Sequence, residues 1–172
     1  RVRVSTPKER RLANVLAKMG ETCESLNLSK NVLETTSMIY RNLDGHIEVK
    51  GKSVACITAA TIYMACKQCN VVRSLEEIIQ GIVPAKDVKS KTKLAARYYR
   101  TMVMEMGAIK APVLTMDKYI SKIANMTQTE VRVERLALEI AEKTKDSSIS
   151  DGKSPNGIAA AYLYVSSVLL GQ

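Results

Sequence analysis

Two Gly-Lys-Ser turns, Gly51-Lys52-Ser53 and Gly152-Lys153-Ser154, stand 101 residues apart, each at the head of an alanine-rich run. Ser154 followed by Pro155 reads as a cap and first helical position, so a helix starts there. The start of a helix offers N–H groups without intrahelical partners and a partial positive charge. A lysine beside that end suits an anion, so Lys52 and Lys153, with Ser53 and Ser154, are candidate contacts for backbone phosphates. The competing reading is two capped helix starts whose lysines are merely solvated. A nucleotide-binding loop is excluded, because the first glycine of Gly-x-x-x-x-Gly-Lys-Ser is missing: His46 and Ser147 stand in its place. The strand that should precede such a loop is missing too.

Charge points the same way. The net charge is +9. Residues 113–172 carry seven Lys/Arg and seven Asp/Glu, so the first 112 residues hold the whole excess, 19 basic against 10 acidic groups. One cluster is Arg1, Arg3, Lys8, Arg10 and Arg11. The other is Lys86, Lys89, Lys91, Lys93, Arg97 and Arg100. Such clusters suit a polyanion or an acidic protein partner. No catalytic constellation accompanies them. His46 is the single histidine, and the spacing Cys66-x-x-Cys69 has no second cysteine pair to complete a metal site. The expectation is a protein that is not an enzyme. The four cysteines, Cys23, Cys56, Cys66 and Cys69, read as reduced thiols of a cytoplasmic or nuclear protein. No apolar run reaches membrane-spanning length, and the opening Arg1 reads as the start of a fragment.

The elements that must position these groups read as helices throughout. Thr6-Pro7-Lys8-Glu9 is a capped start, followed by the stripe Leu12, Val15, Leu16, Met19 and Cys23. A second helix over about 29–43 turns Val32, Leu33, Thr36, Ile39, Tyr40 and Leu43 inward and ends at Asp44-Gly45-His46. The third, from Ser53 through Cys66, is apolar on nearly every face and is expected to be buried all round. Ser74-x-x-Glu77 caps a fourth, closed by Gly81 and Pro84. A fifth is expected over about 91–106, with Leu94, Tyr98 and Met102 on one side. After a linker at 107–112 the order restarts: a helix from Thr115 to Ile123, a capping box at Thr127-Gln128-Thr129-Glu130 opening a helix with Leu136, Ile140 and Ala141 inward, and a third from Ser154 to Leu170. A repeat at fixed offset implies two copies of one module.

The repeated run, Gly51-Lys52-Ser53 with Ala59-Ala60-Thr61-Ile62-Tyr63 against Gly152-Lys153-Ser154-Pro155 with Ala159-Ala160-Ala161-Tyr162-Leu163-Tyr164, resembles the cyclin-type repeats of transcription initiation factor IIB, and of archaeal transcription factor B in particular. Glu9-Arg10-Arg11-Leu12-Ala13 and Val72-Arg73-Ser74-Leu75-Glu76-Glu77-Ile78 fit as well. The resemblance implies an all-α fold of two cyclin-like helical repeats, residues 1–108 with five helices and 109–172 with the first three only. It implies a general transcription initiation factor that binds TATA-binding protein on promoter DNA and helps recruit RNA polymerase. It places Lys67 and Arg73 near the contact with TATA-binding protein. It places Lys52 and Lys153 at the basic start of helix three, and Lys91 and Lys93 in a basic turn before helix five. Lys89 and Arg97 of the same cluster join them as candidate phosphate contacts. The family's zinc ribbon would precede Arg1, so no cofactor is expected within these residues. Its sequence-reading helices would follow the third helix of the second repeat. The implied setting is the cytoplasm of an archaeon, or the nucleus if the protein is eukaryotic, with no membrane and no small-molecule substrate. Two departures stand out: Val72 precedes Arg73 where the family has proline, and the stretch 82–93 is longer and richer in lysine. The alternative reading is a cyclin-like protein-binding regulator, either a kinase activator or a helical adaptor.

Overall fold

Helix α1 (Pro7–Ser25) begins as its cap dictates: the Glu9 amide donates to Thr6 Oγ1 at 3.2 Å and the Thr6 amide to Glu9 Oε2 at 2.7 Å. In this computed structural model the described residues are 6–43, 51–106, 114–147 and 152–171. Among them the structure is helical, with no strand: α1, α2 (Lys30–Leu43), α3 (Val54–Gln68), α4 (Leu75–Gln80), a 3-10 turn (Ala85–Asp87), α5 (Val88–Glu105), α6 (Met116–Thr127), α7 (Val131–Lys143) and α8 (Pro155–Leu169). The chain divides into two compact units, Arg1–Pro112 and Val113–Gln172. The expected linker at 107–112, the boundary at 108/109 and the turn at Asp44-Gly45-His46 fall outside the described residues.

The first unit is built around α3. Ala59, Ala60, Ile62, Ala65 and Cys66 expose nothing, and α1, α2, α4 and α5 all pack on this helix. Its alanines bring neighbouring backbones close, while Ile57 and Ile62 fill the space between. Truncating either isoleucine to alanine is worth about 2–5 kcal/mol. Thr61 stays in the core because its hydroxyl donates to the Ile57 carbonyl at 2.8 Å. The stripes expected on α1 and α2 face this core, with Leu12, Leu16 and Leu33 only part-buried. Two contacts fix the direction of α5. Cys56 Sγ lies 3.7 Å from the Lys91 carbonyl near the start of both helices, and Tyr63 meets Tyr99 two turns later. Helices α3 and α5 therefore run side by side in the same sense, with their N-termini adjacent.

Three local expectations are corrected. Helix α5 starts at Val88, not near Lys91, because the 3-10 turn at Ala85–Asp87 runs directly into it without a side-chain cap. The capping box at Thr127-Gln128-Thr129-Glu130 does not form. The Thr127 hydroxyl instead donates back to the Ile123 carbonyl at 2.8 Å, Gln128 turns left-handed at φ 52°, and Glu130 becomes the residue before α7. On α7, Val133 and Ala137 are the buried residues, while Leu136 and Ile140, expected inward, are only part-buried.

In the second unit α6, α7 and α8 enclose Ile120, Ala124, Val133, Ala137, Ala159 and Leu163. The Tyr162 hydroxyl lies 2.6 Å from Thr144 Oγ1, tying α8 to the end of α7. Helix α8 is buried on one side only. Tyr164, Val165, Val168 and Leu169 are exposed, whereas the equivalent side of α3 lies under α4 and α5.

Candidate nucleic-acid interface

The two Gly-Lys-Ser turns fold alike. Gly51 and Gly152 have φ of 79° and 72°, a left-handed conformation that glycine adopts without steric cost. Ser53 and Ser154 follow in extended conformation, at φ −62°, ψ 123° and φ −64°, ψ 129°. Their carbonyls then accept the first intrahelical bonds, from Ile57 and Ile158, both at 3.0 Å. Neither serine hydroxyl bonds to the helix it precedes. Each turn thus leads into first-turn amides without intrahelical partners, with a lysine just ahead, which is the arrangement that suits a phosphate.

The copies differ in their surroundings. Lys52 and Ser53 are part-buried, and Arg11 Nη2 of α1 donates to the Lys52 carbonyl at 2.8 Å. Lys153 and Ser154 are exposed. They border an apolar cavity of about 400 Å³ lined by Ile140, Ile158, Ala161 and Val165 of α7 and α8.

The basic cluster resolves into a helical face. Lys89, Lys93, Arg97 and Arg100 are all exposed on α5. At 3.6 residues per turn they fall within an arc of about 80°, over a rise of about 16 Å. Lys91 lies elsewhere. It is part-buried on the side of α5 that meets α3, where its carbonyl accepts from Cys56. The basic turn expected to carry Lys91 and Lys93 is helical, so only Lys93 joins the exposed row. Arg100, which the sequence places in the cluster but not among the site residues, extends it.

Lys67 and Arg73 occupy the other end of α3. Lys67 lies 15 residues beyond Lys52, about 22 Å along the axis. Its ammonium sits 5.4 Å from the centre of the Tyr63 ring, a cation–π contact at the negative end of the helix dipole. Arg73 is part-buried and bridges the chain, donating to the Val72 carbonyl at 3.2 Å and the Leu26 carbonyl at 3.4 Å. It joins the connection after α3 to the turn after α1. Nearby, burial pushes the Cys66 thiol up to about 12, reinforced by Cys23 and opposed by the Arg73 guanidinium. No group of three or more metal-ligating side chains occurs among the described residues, and no described helix is long and apolar enough to cross a membrane.

The duplicated turn, set each time at the head of an alanine-rich helix, agrees with sequence comparison. The family model described as the transcription factor TFIIB repeat matches twice, at residues 8–98 and 109–171. The chain belongs to the TFIIB repeat family. The first match runs from α1 into α5 and the second covers α6 to α8, so Lys52 and Lys153 hold equivalent places in two TFIIB repeats. The chain is similar to proteins named transcription initiation factor IIB. That of Archaeoglobus fulgidus is 34% identical over 172 residues, covering all of this chain and 51% of its own length. That of Saccharolobus shibatae is 34% identical over 169 residues, covering 98% of this chain and 53% of its own length. The protein thus spans about half the length of these relatives. The all-α fold and the resemblance read from the duplicated motif are borne out.

Proposed function

We propose that this protein acts in transcription initiation by binding TATA-binding protein on promoter DNA, in an assembly to which RNA polymerase is recruited. The observation that carries this reading is the recurrence of one phosphate-ready turn, with dihedral angles alike to within 10°, in both TFIIB repeats. In the first unit the turn lies at the same end as the start of α5, whose exposed row of Lys89, Lys93, Arg97 and Arg100 supplies further phosphate contacts. The four cations of the row are available to neutralise backbone phosphates. Such contacts position a protein on a duplex without reading its sequence. DNA binding is therefore non-specific among promoter elements and strongly dependent on salt.

Lys67 and Arg73, at the far end of α3, form the contact with TATA-binding protein. The Tyr63 ring holds Lys67 in place, and two carbonyls hold Arg73. The separation of the two ends lets one helix address protein and DNA at once. The role is that of a binding factor, not an enzyme. The test is capture of TATA-binding protein by the immobilised 172-residue chain. Retention that is lost with Lys67→Glu supports the protein contact. Equal retention by both chains overturns the role given to Lys67.

A further inference from the structure

We propose that Arg11 is a positioning residue for the first phosphate-contacting turn, holding Lys52 where a DNA backbone can reach it. The inference rests on the phosphate role given to Lys52 above. Arg11 lies on the second turn of α1, 41 residues before Lys52, yet its Nη2 donates to the Lys52 carbonyl at 2.8 Å in a part-buried setting. That carbonyl lies one residue outside α3, where the first intrahelical acceptor is Ser53. Gly51 has φ 79°, and among the described residues no atom beyond its chain neighbours lies within 4 Å of where a side chain would begin. A bond from a separate helix thus ties down a carbonyl that lies outside the hydrogen-bond ladder of α3. Arg11 Nε is sealed from solvent and has no partner among the described residues.

The residue type suits the task. Guanidinium stays charged at any working pH, loses less on leaving water than an ammonium, and its planar fork aims a donor with little freedom to lose. The second unit lacks the device. Among the described residues no side chain donates to the Lys153 carbonyl, and Lys153 and Ser154 are exposed. The two repeated turns are alike in backbone but differ in anchoring, so the first is the more pre-organised for binding.

The test is a double-mutant cycle on binding of the 172-residue chain to a fluorescein-labelled TATA duplex, read by anisotropy. Arg11→Met keeps an apolar stem and removes every donor. It is expected to weaken binding by roughly 3- to 10-fold, as loss of a charge-assisted hydrogen bond does. Arg132→Ala removes the same charge at an exposed residue outside both basic clusters and is expected to change binding less than about 2-fold. In a Lys52→Ala background Arg11→Met is expected to add almost nothing, since there is no longer a lysine to hold. An equal loss from Arg11→Met in both backgrounds overturns the positioning role, as does a loss from Arg132→Ala matching that from Arg11→Met. Should Arg11→Met fail to fold, Arg11→Lys is read through the same cycle, and additivity with Lys52→Ala again overturns the proposal. If Lys52→Ala leaves binding unchanged, the phosphate role of Lys52 fails and the proposal falls with it. If Lys52→Ala weakens binding but Arg11→Met does not, the proposal alone fails.

Discussion

Tyr63 of α3 meets Tyr99 of α5 edge to face, with ring centres 5.0 Å apart and planes at 75°. The same Tyr63 ring carries the Lys67 ammonium. One aromatic pair therefore clamps the two helices that bear most of the candidate contacts in the first unit. The tyrosine 101 positions later, Tyr164, stands 71% exposed on α8.

The clamp has a measurable worth. Edge-to-face aromatic pairs add about 0.5–1.5 kcal/mol beyond the area they bury. A double-mutant cycle on Tyr63→Leu and Tyr99→Leu, followed by urea unfolding, should return a coupling energy in that range. Tyr164→Leu should shift the unfolding midpoint very little.

The buried thiols make the first unit sensitive to alkali. Burial pushes Cys23 up to about 11 and Cys66 up to about 12, from an ordinary value of 9.0. Unfolded thiols ionise near that ordinary value, while the folded ones remain neutral. The stability they contribute is therefore complete below pH 9 and is lost as pH climbs from there through the folded values. Melting temperature measured against pH should fall across that window, and the fall should be shallower in Cys23→Ala/Cys66→Ala. Below pH 9 a thiol-specific reagent should modify part-exposed Cys69 rapidly and the buried Cys23, Cys56 and Cys66 only on unfolding.

The row on α5 predicts a graded response to salt. Removing each phosphate contact should reduce the slope of log binding constant against log salt by about 0.9. Lys93→Ala and Arg97→Ala should each do so in a titration with labelled duplex. Lys91→Ala should leave the slope in place, because Lys91 lies on the side of α5 that faces α3.

The repeated glycines carry a conformational requirement in place of a packing one. Nothing surrounds either position closely enough to clash with a methyl group. Gly51→Ala and Gly152→Ala therefore meet only the left-handed backbone, about 1–2 kcal/mol each. Chemical denaturation should show a loss of that size at both sites.

How much of this was legible in the sequence depended on how local each signal is. The caps at Thr6 and Ser74 and the all-apolar α3 were readable because neighbouring residues alone decide them. The box proposed at Thr127 failed because a threonine hydroxyl can serve either the helix behind it or the one ahead, and here Ile123 holds it. The start of α5 was misplaced because no capping side chain marks it. Lys89, Lys91 and Lys93 looked equivalent as a lysine run. Only the face of α5 turned toward α3 separates Lys91 from the others. Arg11 was visible as charge but not as an anchor, since its acceptor is a backbone carbonyl 41 residues away.

As proposed, both repeated lysine-bearing turns hold DNA beside TATA-binding protein. A gel-shift assay with the 172-residue chain, TATA-binding protein and a labelled TATA duplex tests it most directly. The expected result is a slower band that needs all three components, weakens steeply as salt rises, and is lost in Lys52→Ala/Lys153→Ala while the band of TATA-binding protein alone persists. A slower band of undiminished intensity with both lysines removed, or no such band with the unaltered chain, contradicts the account.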